Sequence, residues 1–209
     1  MLFWQMMKAG GPMMWVIMIL SIISLVIFLE KTMQFHREEI NSRELLRGLF
    51  NVLRRNGLVE AISLCDNTPG PVARMLGAVI AASQRNDSDL QSVADDAALR
   101  EIPRLERRIN LLGSLGFILP LTGFLGTVLG MLAAFEDVSG ADFISISTVS
   151  APITSALLTS AAGLSTAVFC HLAYNYLVGR VEAITLDMDR SALEMLNFLD
   201  RRRSGKIED

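Results

Sequence analysis

The stretch Leu111–Phe135, LLGSLGFILPLTGFLGTVLGMLAAF, contains no Asp, Glu, Lys or Arg. A helix of about 20 apolar residues spans the hydrocarbon layer of a bilayer, and a chain crossing lipid must bond its own backbone. The stretch therefore reads as a transmembrane helix. A plain anchor would be Leu-rich throughout. This one carries Gly113, Gly116, Gly123, Gly126 and Gly130, with Thr122 and Thr127 among them. Small residues let helices approach closely inside a membrane. The segment is expected to pack inside a helix bundle, offering a few hydroxyls to whatever lies at its centre.

Two further stretches are long enough to cross. Pro12–Leu29 is uncharged for 18 residues, about 27 Å as a helix. Thr148–Val178 has small and polar residues but no Asp, Glu, Lys or Arg. The chain is 51% hydrophobic, with a mean hydropathy of +0.41, and 20% charged. That is too apolar for an ordinary soluble domain and too charged for a chain wholly in lipid. Of the 19 Lys and Arg residues, 12 lie in Glu30–Asn110 and 6 follow Gly179, and Lys8 is the last. With three spans, the large loop and the tail share a side, and the positive-inside rule makes it cytoplasmic. Arg104, Arg107, Arg108 and Arg180 flank the second and third spans and fix this orientation.

The expected layout follows. Residues 1–29 form an N-terminal periplasmic segment and the first transmembrane helix, and 30–110 a cytoplasmic helical loop. Residues 111–135 form the second span, 136–152 a short periplasmic loop, 153–178 the third span, and 179–209 a cytoplasmic helix extension and tail. The first span reads as an uncleaved helix, because Glu30-Lys31 follows it directly and no small-residue cleavage site does. Cys65 falls in the loop and Cys170 in the third span, so they read as small apolar fillers and not as a disulfide.

Within the loop, Leu45, Leu46, Leu49, Phe50 and Leu53 make an amphipathic pattern over Arg43–Asn56. Asn41 or Ser42 suits its cap and Gly57 its stop. Leu58–Cys65 is a second short helix. Pro71 suits the first turn of a third, Val72–Ser83, and Ser88 suits the cap of a fourth, in which Pro103 should mark a kink or a restart. After Pro152 a single helix is expected from Ile153 to about Asp200. Its stripe of Val181, Ile184, Met188, Leu193, Leu196 and Phe198 needs a partner in water, and Leu105, Ile109 and Leu112 are the expected one. The fold class is an all-α integral membrane protein, with three transmembrane helices and long helices extending into a cytoplasmic helical bundle.

Soluble catalytic chemistry finds little support. His36 and His171 are the only histidines, and no metal-spaced cluster, nucleophile elbow or phosphate-binding glycine loop occurs. The chain is not expected to be an enzyme or to hold a cofactor, a metal or a nucleic acid. His171 reads as an interfacial or helix-contact residue and not as a ligand or relay. The hydroxyls are more informative. Ser155 and Thr159 stack on one face of the third helix, with Ser160 and Thr166 flanking it and Thr127 midway along the second. Each hydroxyl can simply bond a carbonyl one turn back, at ~0.6 kcal/mol. As a set at similar depth, they point to a polar-lined interior. Gly123, Gly126, Gly130 and Gly163 are the expected helix-packing positions.

These residues carry a resemblance. LPLTGFLGTVLGM, Leu119–Met131, resembles the second-helix signature of the ExbB/TolQ family, the larger subunit of proton-driven inner-membrane motors. ITSALLTSAAGL, Ile153–Leu164, is similar to its third-helix signature, and AYNYLVGRVE, Ala173–Glu182, to its exit into the cytoplasm. Gly10–Met14 and Ile27–Glu30 resemble its first helix, and Pro69–Arg74 its loop.

The resemblance implies a multi-pass protein of the bacterial inner membrane, N-terminus periplasmic and C-terminus cytoplasmic. It implies a homopentamer, bathed in membrane lipid, around the single-span helices of an ExbD/TolR-like partner whose Asp carries the ion. Work would pass to a TonB/TolA-like transducer, as in TonB-dependent transport or Tol-type envelope maintenance. Where well-known members carry a Glu in the third helix, this chain has Ser155. Thr127, Ser155, Thr159 and Ser160 are then expected to line the ion pathway as a neutral ring serving the partner's Asp, a lining that suits H+ and Na+ alike. Phe169 stands where the family commonly has Pro, so the third helix should run straighter there. The alternative is a non-conducting membrane scaffold. A flagellar stator of the MotA kind would have four spans.

Overall fold

The computed structural model describes residues 10–38, 42–85, 89–139 and 146–204. Among the described residues the secondary structure is helical, with no strand. The helices are α1 (Gly11–Glu38), α2 (Ser42–Arg54), α3 (Leu58–Asn67), α4 (Pro71–Gln84), α5 (Leu90–Glu106), α6 (Ile109–Ser139) and α7 (Ile146–Arg203). Runs within α1, α6 and α7 are long and apolar enough to cross a membrane. The protein is an all-α membrane protein. Two compact units form along the chain, one from Met1–Glu30 with Arg108–Tyr176, the other from Lys31–Arg107 with Leu177–Asp209.

The first unit turns many large side chains outward and buries small ones beside a few large ones, Ile17, Ile109, Leu112 and Leu119 among them. Trp15, Ile22, Phe117, Phe124, Leu157 and Leu172 are exposed, whereas Ser24, Ala156, Thr159, Ala167 and Cys170 are buried. This is the pattern expected where lipid is the solvent, since burying a Leu from lipid gains little and close backbone approach gains more. Buried Ser24 donates its hydroxyl to the Ser21 carbonyl at 2.7 Å, so no polar group faces the hydrocarbon unpaired there. Phe28 of α1 meets Phe169 and Tyr176 of α7 edge-on, at 5.8 and 6.3 Å between ring centres. Helix α7 continues unbroken through Phe169. It also begins at Ile146, ahead of Pro152. Pro152 is the seventh residue of the helix, so the carbonyl of residue 148 loses its helical donor, and the helix continues past it nonetheless.

The second unit has an oil-like core. Leu49, Leu53, Met75, Leu76 and Ile80 pack with Met188, Ala192, Met195 and Leu199 of α7, and Phe50 stacks on Phe198 at 4.7 Å. The partner of the α7 stripe is therefore this cluster from α2 to α5. Leu105, Ile109 and Leu112 are themselves buried but lie outside it. Leu193 is exposed: the inward face of α7 steps 188, 192, 195, 199, and position 193 lies about 100° round the helix from 192. Glu101, nearly buried, receives Arg74 Nε at 2.9 Å and Arg104 Nη1 at 3.0 Å. Its carboxylate ties α4 to α5.

Helix ends differ instructively from the expected ones. The turn after α2 puts Asn56, not Gly57, at positive φ (60°), a conformation Asn tolerates better than most residues. Asp89 caps α5, accepting the Ser92 N–H at 3.0 Å, while Asn41, Ser88 and Lys8 lie outside the described residues. Helix α5 runs through Pro103 and breaks four residues later, where Arg107 donates its N–H to the Pro103 carbonyl at 3.0 Å and Arg108 takes a φ of 73°. Lys31 Nζ then donates to the Leu105 carbonyl at 3.1 Å, satisfying one of the acceptors that a helix end leaves open.

Cys65 and Cys170 are free and buried. Burial, with Asp66 beside it, pushes the Cys65 thiol up to about 11. The thiolate is the reactive form, so Cys65 in the folded chain should resist iodoacetamide at pH 8 and react once the second unit is unfolded by urea. Rapid native labelling, read by mass spectrometry, would contradict this burial.

Candidate functional site

Helices α6 and α7 run antiparallel along a seam of glycines. A Cβ at Gly163 would lie 2.7 Å from the Leu119 carbonyl oxygen and 3.0 Å from Gly123 Cα, so backbone meets backbone there. A Cβ at Gly126 would fall 2.5 Å from the Thr159 hydroxyl, and one at Gly130 would fall 2.7 Å from Ala156 Cβ. The packing glycines expected from sequence thus line one seam.

At the level of Gly123 the seam turns polar. Thr127 Oγ1 and Ser160 Oγ lie 2.6 Å apart. Ser160 Oγ donates to the Gly123 carbonyl at 3.0 Å, and Thr127 Oγ1 lies 3.2 Å from the same oxygen. Three neutral oxygens from two helices converge, with no formal charge anywhere in Leu111–Phe135 or Thr148–Val178. Two hydroxyl protons are shared among three acceptors, so the set can switch which oxygen donates without breaking the cluster. The glycine seam creates this site: a side chain at 123 or 163 would hold Ser160 away from the Gly123 carbonyl.

Thr159 stands apart from the cluster. It is buried against Gly126, and its hydroxyl donates to the Ala156 carbonyl of its own helix at 2.8 Å. Ser155 lies on the wall of a cleft of about 510 Å3 lined also by Gly10, Gly11, Pro12, Gly126 and Gly130. Its hydroxyl has no hydrogen-bond partner among the described residues, and a Cβ on Gly11 would lie 3.6 Å from it. The four hydroxyls expected to act as one ring thus occupy three settings. Thr127 and Ser160 are joined, Thr159 is turned into its helix, and Ser155 faces an open cleft. Periodicity could not reveal the placement of Gly10–Pro12 beside Ser155, because it depends on how α1 packs across α6 and α7. The Thr127–Ser160 pair was within reach of the sequence, since the glycine spacing of the two spans sets their register.

Among the described residues no group of three His, Cys, Asp or Glu side chains is placed to hold a metal. The site's chemistry is that of neutral oxygens in a low-dielectric setting. It can order water and accept or pass a proton, but without a carboxylate it stores no charge.

The family described as the MotA/TolQ/ExbB proton channel family matches residues 67–190, which include α4, α5, α6 and most of α7. The Tol-Pal system protein TolQ of Haemophilus influenzae is 37% identical over 107 residues, 51% of this chain and 47% of the relative. This chain thus aligns with about half of that TolQ. The biopolymer transport protein ExbB of Neisseria meningitidis is 26% identical over 207 residues, 90% of this chain and 92% of that protein. That of Salmonella typhimurium is 25% identical over 195 residues, 87% of this chain and 78% of its own length. With more than half of its residues matched, including the seam and its hydroxyl cluster, this chain belongs to the MotA/TolQ/ExbB proton channel family.

Proposed function

We propose that this chain is the ring-forming subunit of an ion-driven motor in the bacterial inner membrane. The carrying observation is the Thr127–Ser160–Gly123 cluster, three convergent, half-buried oxygens between charge-free spans. A charge at the bilayer centre costs ~2.5–3.5 kcal/mol or more, so a pathway without its own carboxylate needs a charge carrier from elsewhere. In this reading, copies of the chain, five by family likeness, enclose the single-span helices of an ExbD/TolR-like partner whose Asp takes up and releases the ion. Thr127 and Ser160 lower the cost of that charge by turning hydroxyl dipoles toward it. Ser155 offers its open hydroxyl in the neighbouring cleft, and Thr159 sets the α6–α7 spacing. The tail and the 30–110 loop lie in the cytoplasm and the N-terminus outside, as the distribution of Lys and Arg favours. Motion of the partner helices would be passed to a TonB/TolA-like transducer. The ion is H+ or Na+.

The test is reconstitution. The full chain, purified with a co-expressed single-span ExbD/TolR-like partner, is placed in liposomes and H+ uptake is followed with a pH-sensitive dye. Flux that disappears when the partner's Asp becomes Asn supports the motor. Complexes that carry neither H+ nor Na+, and work in the cell that survives the Asp→Asn change, would instead favour the scaffold.

A further inference from the structure

We propose that His171 hands protons between the hydroxyl-lined interior and the aqueous phase toward the Arg180 end of α7. The inference rests on the motor reading above. The sequence alone reads His171 as a packing residue, and its surroundings change that reading.

Within Leu111–Phe135 and Thr148–Val178, His171 is the one imidazole, a ring that can accept a proton on one nitrogen and donate from the other. It sits on the same seam as the hydroxyl cluster. A Cβ on Gly116 would lie 3.2 Å from its Cε1 and Nε2 and 3.3 Å from Nδ1, so the imidazole occupies the space a glycine leaves. Yet the ring is not sealed in. His171 is exposed, and its nitrogens bond to no described residue. Unpaired ring nitrogens in a membrane-spanning segment call for water to satisfy them.

A second polar group lies at the same level. Pro120, inside α6, has no N–H to give to the Gly116 carbonyl one turn back. An imidazole without a partner among the described residues thus packs against Gly116, the residue whose carbonyl lacks its usual helical donor. In hydrocarbon such groups are costly, and water is the group that can satisfy both. The cluster lies 11 residues away along each helix, 116 to 127 and 171 to 160, about 16 Å at the helical rise. Transfer between them runs through water and not by direct contact. The neutral ring accepts a proton from water on one nitrogen and becomes imidazolium. It then releases a proton from the other nitrogen to water on the far side. One proton enters, one leaves, and the ring ends neutral in its other tautomer, which a half-turn about the Cβ–Cγ bond resets.

The test uses the same liposomes, with His171→Ala in the full chain and the partner present. H+ flux is expected to fall about tenfold, and millimolar imidazole in the buffer is expected to restore much of it, because free imidazole can enter the vacated seat. A packing role predicts no such rescue. Flux equal to wild type, or a loss that imidazole leaves unchanged, overturns the proposal while the motor reading stands. Wild-type complexes that carry no protons remove both. Should the Ala variant fail to assemble, His171→Ser is read by the same two measurements.

Discussion

Replacing Gly163 by Ala is expected to separate α6 from α7. The added methyl carbon would sit 2.7 Å from the Leu119 carbonyl oxygen, 3.0 Å from Gly123 Cα and 3.2 Å from Gly123 N. All three obstacles are backbone atoms of a continuous helix, so no rotamer change relieves them. Overpacking of this kind costs ~1–3 kcal/mol. Here the helices can escape it only by parting, which also pulls Ser160 from the Gly123 carbonyl. The expected result is a lower unfolding midpoint in detergent and loss of ion flux together. Gly179→Ala is the control. A Cβ there meets nothing within 4 Å, and Ala in place of a mid-helix Gly is expected to stabilise by ~0.5–1 kcal/mol. If Gly163→Ala unfolds like wild type and conducts like it, the close seam is not present in the working protein.

The double substitution Thr127→Val with Ser160→Ala should do the opposite: leave the fold and remove the activity. Each intramembrane hydroxyl bond contributes only ~0.6 kcal/mol, and the Gly123 carbonyl keeps the N–H of residue 127 within α6. Val and Ala fill nearly the same space, so assembly is expected to hold. A charge passing the level of Gly123 would lose both dipoles that face it. A rise of ~1.4 kcal/mol in its barrier is a tenfold fall in flux, and two hydroxyls lost together should give at least about that. The measurement is dye-detected H+ uptake beside size-exclusion of the purified complex. Undiminished uptake would mean that the ion travels elsewhere, with the Ser155 cleft the next place to look.

Much of this was legible in the chain because membranes constrain sequence strongly. Charge-free runs marked the three apolar helices, and the glycine spacing of the second marked a packing face. What periodicity could not supply was the pairing. Thr127, Ser155, Thr159 and Ser160 form one set by depth, yet one pair bonds across helices, one hydroxyl turns inward and one stands open. That division is set by which glycine each residue faces. The exposed Leu193 shows the same limit in the second unit, where a single residue of offset along α7 turns an expected core position to the surface. The break after Pro103 was anticipated in kind and displaced in position, since the proline's own carbonyl still finds a donor in Arg107.

The two units answer to different solvents. The second unit, closed around Leu49, Leu76 and Met188, is held by water's exclusion of its oily interior. Lys31–Arg107 and the end of α7 should therefore give way to chaotropes. The first unit turns many of its bulky side chains outward and joins α6 to α7 through glycines, so water lends it little such push. What it cannot do without is a hydrocarbon medium around Phe117, Phe124 and Leu157. Stripping lipid should damage it while sparing its neighbour, and one polypeptide would then show two separate ways of coming undone.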